Sequence, residues 1–547
     1  MIVNMRRPRS LIVCCSLLLL ILFICAVGRS GGQTANLGVQ PAQLLSHTIN
    51  ENWPSYNGDY TGRRFSSLTQ ITPENVGQLR AEWVFHSRNS GKLEVTPVVV
   101  DGVMYITASN DVYALDSTNG RTLWHYSRPV SSGLIDDAAG HINRGVALLG
   151  TRLYTETDNA HLVCLDARSG HLLWDVAYAD WNKNYGATSV PLIIKDKVLV
   201  GTSGGDSGVR GFLAAYDATS GKLVWRLWTI PGPGEFGSSS WPGDSYLHGG
   251  GTTWMPGTYD PELNTVYWGT GNAGPDYDGD VRPGDDLYTA CLLAIDPDNG
   301  KLKWYFQFTP HDLYDYDGVE TPVLIDRVYQ GTPRRLLVEA NRNGYLYVLD
   351  RADGKFLSAT QFAVRLNWAK GIDANGRPIV SGLQPTSDGT LICPGDIGGT
   401  NWFSPSYSEF THQFYLSAFN ICSTYFKKPA VFAEGSNYYS TGTTHDSKDR
   451  GKKELLAFDL DKNSFTWRYP QEGDSHSWGG VMTTASGLVF FADDAESFEA
   501  VDAMTGKSLW HFNTGQTFHA SPMSYSVGGR QYVAIASGDD LFSFALP

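Results

Sequence analysis

One short pattern returns along this chain and narrows its folds more than any other feature. A small or apolar residue and a second apolar residue precede an Asp; a few turn residues, a Gly and a Trp follow. Clear copies are Ala114-Leu115-Asp116 with Gly120 and Trp124, Cys164-Leu165-Asp166 with Gly170 and Trp174, Ala215-Tyr216-Asp217 with Gly221 and Trp225, and Ala294-Ile295-Asp296 with Gly300 and Trp304. Weaker copies follow at Asp350 with Gly354, where Ser358 replaces Trp, and at Asp459 with Trp467, where Asn463 replaces Gly. Ala500-Val501-Asp502 with Gly506 and Trp510 completes the series. Each copy reads as a hairpin. The Asp side chain caps the turn, and Gly supplies its positive φ. The runs before the copies, such as GVMYITAS and KDKVLVGT, are β-branched and aromatic, as strands prefer. A Trp fixed in each unit suits an indole wedged between neighbouring sheets.

The spacing matches four-stranded propeller blades. The expected fold is all-β, an eight-bladed β-propeller of four-stranded antiparallel blades, with a seven-blade count as the competitor. The eighth blade joins the C-terminal runs GRQYVAIASG and LFSFAL to an N-terminal strand in LRAEWVF; such closure leaves no exposed sheet edge. Residues 29–547 read as one domain. The Asp, Gly and Trp of the repeats are structural on this reading. Chemistry belongs in the gaps, above all 225–294 and 358–457, which read as loops over one end.

Residues 1–28 have the form of a secretory signal, with Arg6, Arg7 and Arg9 before an apolar run 11–27. The expectation is a cleaved leader and a periplasmic or secreted protein; an uncleaved anchor is the alternative. The formal charge is −14, and loss of three leader arginines makes it more negative, which argues against nucleic acid as a partner. Three of seven cysteines lie in the leader. Cys164 and Cys291 sit in apolar runs and read as buried thiols. Cys393 and Cys422 flank an irregular aromatic segment and can pair in an oxidising compartment. No C-x-x-C-H motif is present, so no covalent haem is encoded.

The stretch FTPHDLYDYDGVE, 308–320, sets Asp312, Asp315 and Asp317 among aromatics. Asp315 and Asp317 occupy alternate positions and can point the same way along extended backbone. Adjacent anions repel unless a proton or cation lies between them.

Together with HINRGVA, GTSGGDSGVRGFLAAYD, GGGTTW, WGTGN, VRPGDDLYT, NRNGYLYVLDR, GGTNW and SWGGVMTTASGLVFF, this stretch resembles the quinoprotein alcohol dehydrogenases. These are the methanol/ethanol dehydrogenase type that uses pyrroloquinoline quinone (PQQ). The resemblance runs along nearly all the mature length. It implies that Asp315 is the catalytic base, taking the alcohol proton as hydride leaves for the quinone. It implies metal ligation by Asp206, Asn272 and Asp315. Trp254 matches the indole floor under the PQQ ring. Glu94, Arg144, Thr188, Ser203, Gly204, Gly205 and Thr252 match positions around the cofactor's carboxylates and edges. Arg342 matches a positive group near the quinone carbonyls; Asn401, Trp402 and Trp478 match peripheral contacts. The Cys393–Cys422 pair matches a family disulfide.

Two departures stand out. Asp206 takes a position usually held by Glu, and Ala138-Ala139 stand where the family often has two adjacent cysteines. Family members with an Asp two positions after the base use a lanthanide, and those with a small residue there use Ca²⁺. Asp317 therefore implies a fourth ligand and favours a lanthanide(III) ion, with Ca²⁺ as the alternative. Three carboxylates and hard oxygen donors suit a trivalent ion. The implied activity is oxidation of a primary alcohol, polyol or sugar, with electrons passing to an external cytochrome c. Two other readings stay open: a non-catalytic scaffold of the cell envelope, and a quinoprotein-like enzyme that has lost PQQ binding. The particular alcohol and the oligomeric state, a homodimer among the options, are not encoded legibly.

Overall fold

In the computed structural model, the description covers residues 38–45, 49–88, 92–134, 139–445, 451–473 and 477–547. The leader 1–28 and Ala138 lie outside it. Residues Gly38–Pro547 form one compact unit. Among the described residues, the body consists of seven four-stranded sheets and one five-stranded sheet. The sole α-helix among them is the four-residue Pro41–Leu44.

Each repeat is the third-to-fourth strand hairpin of a sheet. In the first, Asp111–Asp116 pairs antiparallel with Thr122–Tyr126. Asp116 Oδ1 accepts from Thr118 N at 2.9 Å, and Gly120 N donates to Asp116 O at 2.8 Å. Gly120 has φ +73°, and a Cβ there would lie 2.6 Å from the Trp83 ring of the sheet before it. The same relation joins Gly170 to Trp124, Gly300 to Trp225, Gly354 to Trp304 and Gly506 to Trp467. The repeat Gly thus makes the turn and admits the preceding sheet's indole. Trp124 Nε1 donates onward to Ala167 O at 3.0 Å, and Trp225 Nε1 to Pro297 O at 2.9 Å. Where the pattern weakens, substitutes act: Asn463 takes φ +51°, and Ser358 Oγ bonds the Tyr329 hydroxyl at 2.8 Å.

Strand Arg80–His86 pairs antiparallel with Asp540–Ala545, which continues into Arg530–Ser537 and Met523–Val527. The sheet that joins the two chain regions is therefore present. Trp510 Nε1 reaches it at Leu79 O, 3.1 Å away. One sheet departs from the expected four antiparallel strands. Phe65–Ser66 adds to it in parallel, beside Val481–Thr484.

That extra strand ends a segment, 51–66, which runs past the first strands of seven sheets. Trp53 exchanges two backbone bonds with Val99, both 2.9 Å. The Tyr60 hydroxyl donates to Ile193 O. Tyr259 N, Leu324 N, Tyr407 N and Thr483 N donate to the carbonyls of Tyr60, Thr61, Arg63 and Arg64, and Ser526 N to Glu51 O. Arg64 is fully buried. It donates to Tyr56 O (2.7 Å), Asn57 Oδ1 (3.1 Å) and Pro522 O (2.6 Å).

The long gaps hold structure of their own. Segment 358–457 carries a two-stranded sheet and a three-stranded sheet of Thr390–Ile392, Ser423–Phe426 and Gly442–Thr444. Cys393 and Cys422 form a disulfide there. Cys164 and Cys291 are buried free thiols.

Candidate active site

Three glycines shape the turn that carries Asp206. Gly204 (φ +95°) and Gly208 (φ +72°) flank the single 3-10 turn Gly205–Ser207. A Cβ on Gly204 would lie 2.2 Å from Asn184 O, so only glycine fits. Asn272 follows strand Thr265–Gly269. Its backbone N–H donates to Asp317 Oδ1 at 2.5 Å and its side-chain amide to Asp206 Oδ1 at 3.1 Å.

The loop 308–320 is held by Asp312, which accepts from Tyr314 N (3.0 Å) and Tyr316 N (2.8 Å). This third acid of the motif is thus a turn cap. Asp315 adopts φ +63°, so the loop is not the extended backbone the alternation suggested. Left-handed backbone at a non-glycine residue is a strain that concentrates at functional sites. Even so, both carboxylates reach one cation: Arg342 Nη1 lies 3.3 Å from Asp315 Oδ1 and 2.8 Å from Asp317 Oδ2. Asp317 also accepts from the Trp254 indole N–H at 3.2 Å, which fixes the tilt of that ring.

Across the site, Arg144 pairs with Glu94 at 2.6 Å and donates to Thr188 O at 2.8 Å. Its guanidinium stacks between Trp402, 4.4 Å from the ring centroid, and Trp254, 5.1 Å away, within cation–π range.

Arg144, Thr188, Ser203, Gly204, Gly205, Asp206, Thr252, Trp254, Asn272, Asp315, Asp317 and Arg342 line one cavity of about 180 Å³, with Ile142. The other sequence-selected residues stand behind this wall. Glu94 backs Arg144, and Trp402 lies beneath it. Asn401 turns to its own loop, donating to Ile397 O and accepting from Trp402 N. Trp478 packs on Phe403 and Phe419. Ala139 is buried. Sequence reasoning passed over Asp276, Tyr277 and Glu320, which are buried beside the cavity acids. For Asp276 and Tyr277 the acid-rich run GPDYDGD after Asn272 was the available signal, and Glu320 closes the stretch 308–320.

Burial drives the electrostatics. It pushes the Asp315 carboxyl well above the usual range; Arg342 opposes this, while Asp317 and Asp206 add to it. Asp317 is raised for the same first reason, against Arg342. Burial alone would lower the Arg342 pKa, but Asp315, Asp317 and Glu320 raise it overall. The site is therefore acid-rich and short of positive charge. Among the described residues, no three His, Cys, Asp or Glu side chains form a ready-made ion cage by themselves. Asn272 and Arg342 bridge the carboxylates instead.

The cavity nevertheless fits a flat, multiply anionic ring and a hard cation. Arg144 Nε and Arg342 Nε are buried donors without a protein acceptor, and carboxylate or carbonyl oxygens would supply one. Asp206, Asn272, Asp315 and Asp317 offer only hard oxygen donors. Gly271 keeps space beside Asp317, where a Cβ would approach Oδ1 to 3.1 Å.

Comparison with known proteins agrees. Residues 53–362 and 454–533 match the PQQ family model described as glucose/ethanol/alcohol dehydrogenase, β-propeller domain. The quinohemoprotein alcohol dehydrogenase ADH IIB of Pseudomonas putida is 37% identical over 508 residues, covering 89% of this chain and 73% of that protein. A lanthanide-dependent methanol dehydrogenase of Methylacidiphilum fumariolicum is 33% identical over 575 residues, covering 98% and 92%. Among solved structures, a europium-containing methanol dehydrogenase superimposes with a TM-score of 0.85 at 32% identity, covering 91% of this chain and 98% of that one. The sheet architecture and the cavity thus coincide with a sustained likeness in sequence, and the chain belongs to the PQQ-dependent quinoprotein alcohol dehydrogenase family.

Proposed function

We propose that this β-propeller dehydrogenase oxidises an alcohol to the carbonyl with Asp315 as the general base. One observation carries the reading. Asp206, Asn272, Asp315, Asp317, Trp254, Arg144 and Arg342 come from distant parts of the chain and line the same cavity. In this reading Asp206, Asn272, Asp315 and Asp317 hold one metal ion. Trp254, Arg144, Thr188, Ser203, Gly204, Gly205, Thr252 and Arg342 hold PQQ, with Glu94, Asn401, Trp402 and Trp478 supporting them. When bound, PQQ supplies the two-electron oxidant and the metal a Lewis acid.

The protein's own contributions follow from its geometry. Of the two carboxylates on Arg342, the Asp315 side chain is 21% exposed and that of Asp317 is 4% exposed. Asp315 is thus the one open to an alcohol, and it takes the hydroxyl proton on its carboxylate. Asp317 is tied to Asn272 N, Trp254 and Arg342, so it holds the indole and the guanidinium in place. Arg342 offers positive charge where oxygen charge develops.

A lanthanide is favoured over Ca²⁺ because three carboxylates, Asp206, Asp315 and Asp317, line the one cavity, and two relatives are named for a lanthanide. The eight principal sheets are read as eight blades. Electrons are read as passing to a separate cytochrome c, the acceptor that the family resemblance implies. Export to the periplasm rests on the leader-like 1–28. No helix of the described residues is long and apolar enough to cross a membrane.

The test is reconstitution with PQQ and either La³⁺ or Ca²⁺, following dye reduction with a panel of alcohols. Alcohol-dependent reduction, greater with La³⁺, is expected. Asp315→Asn should cut kcat by about 10²–10⁴-fold. Absence of alcohol-dependent reduction with either metal overturns the reading.

A further inference from the structure

The turn that carries Asp206 is held from outside by a loop that the proposed chemistry does not use. This loop, 428–440, is closed at its base by Ser440 Oγ, which accepts from Lys428 N at 3.0 Å and donates to Lys428 O at 2.6 Å. Its outer face is open to solvent: residues 433–437 are exposed, and Val431 is 84% exposed.

The inward contacts converge on one turn. Tyr438 N donates to Asp206 O at 2.6 Å. Ser207 Oγ donates to Asn437 Oδ1 at 3.3 Å. Gly435 N donates to Asn184 Oδ1 at 3.1 Å, and Asn184 Nδ2 donates in turn to Ser207 O at 2.8 Å. Aromatic rings grip the far end. Phe432 stacks on His248 with centroids 3.6 Å apart, and His248 Nδ1 lies 2.9 Å from Gly208 O. Gly208 admits the Phe432 ring, since a Cβ there would lie 2.8 Å from it. The segment also reaches the residues after Asn272, where Tyr277 N donates to Tyr439 O at 3.2 Å.

Asp206 lines the cavity, and its Oδ1 accepts from the Asn272 amide at 3.1 Å. Its side chain is short, so the place of its oxygens follows the backbone of the turn. Discrimination among oxygen-bound cations depends on the size of the site and the flexibility of its ligands. A turn gripped at Asp206, Ser207 and Gly208 cannot follow an ion of another radius.

We propose that segment 428–440 is a positioning strap for the Asp206 turn, and that Asn437 and Phe432 thereby sharpen the site's discrimination of trivalent ions by radius. This rests on the metal-binding reading above and adds the residues that set its selectivity. A short carboxylate on a held turn cannot close on a small ion, so Lu³⁺ should bind more weakly than the larger La³⁺.

Titration calorimetry of the PQQ-loaded protein with La³⁺ and with Lu³⁺ reads both Kd values without turnover. Asn437→Ala and Phe432→Ala should each bring the two values closer by about threefold to tenfold, the scale of one hydrogen bond or one ring contact. Phe432→Tyr keeps the ring and should keep the discrimination. Thermal unfolding before loading checks each fold. Asn437 is exposed, so its alanine variant decides the matter should Phe432→Ala fail to fold. An unchanged ratio of Kd values in the folded alanine variants overturns the proposal. So does an equal weakening of both ions, which would make the loop a support of the fold alone. If the unaltered protein binds neither ion, it is the metal-binding reading that fails, and the strap falls with it.

Discussion

Asp315 and Asp317 differ by what surrounds them rather than by residue type. Asp317 accepts from Asn272 N, Trp254 and Arg342; Asp315 shares only the guanidinium and keeps an open side. The motif D-x-D named both, but their division of labour depends on partners 25 to 63 residues away. A structural acid shows the same physics in isolation. Burial lifts the Glu156 carboxyl from an ordinary 4.5 to about 8, against the Tyr178 hydroxyl that donates to it at 2.7 Å. The folded protein therefore holds this proton more tightly than the unfolded chain does. Its contribution to stability is complete below pH 4.5 and is lost as pH rises through about 8. Glu156→Gln removes the ionisation. Thermal unfolding at pH 5 and pH 8.5 should show a smaller drop in Tm for the variant than for the parent. An equal drop would mean that Glu156 does not ionise in this range.

At the scale of the element, the hairpin-and-indole unit was legible because its chemistry is local. Asp caps, Gly turns and Trp docks within about ten residues of one another, so Asp296, Gly300 and Trp304 announce a hairpin without tertiary information. The inserts were not legible. Thr390–Ile392 pairs with Ser423–Phe426 across some thirty residues without a tight turn, and no period in the sequence marks that partner. The Asp206, Asn272 and Asp315 positions came from family likeness, not from spacing. Asp276 was missed because a buried carboxyl oxygen without a partner is a property of the folded surroundings. The unit itself can be tested with two glycines. Gly300 (φ +74°) would place a Cβ 2.6 Å from Trp225, whereas Gly331 (φ +76°) would meet nothing within 4 Å. Alanine at Gly331 should cost only the left-handed backbone, about 1–2 kcal/mol. Alanine at Gly300 should add about 1–3 kcal/mol from displacing the indole. Denaturant unfolding measures both, and equal losses would show that the Gly–Trp contact carries no weight.

For the molecule as a whole, the decisive ties are between parts far apart in sequence. Arg64 binds Tyr56 O, Asn57 and Pro522 O while packed on Trp53 and Tyr56. Arg64→Met keeps much of the stem but removes three buried hydrogen bonds, leaving Tyr56 O and Asn57 Oδ1 only the longer bonds from Trp53 Nε1 and Ser404 Oγ, both 3.4 Å. A loss of about 3 kcal/mol or more in unfolding free energy is expected, since bonds to charged donors contribute about 1.5–3 kcal/mol each. A loss below about 1 kcal/mol would show that segment 51–66 is an ornament on the sheets rather than a tie between them. Strand Arg80–His86 finds its neighbour only at Asp540–Ala545, which gives the ring a clasp made from opposite ends of the described chain. While the polypeptide is still emerging from a ribosome, that clasp stays undone, however well the intervening hairpins have formed. A chain broken short of residue 540 is left with an unmatched β-edge that a protease can find.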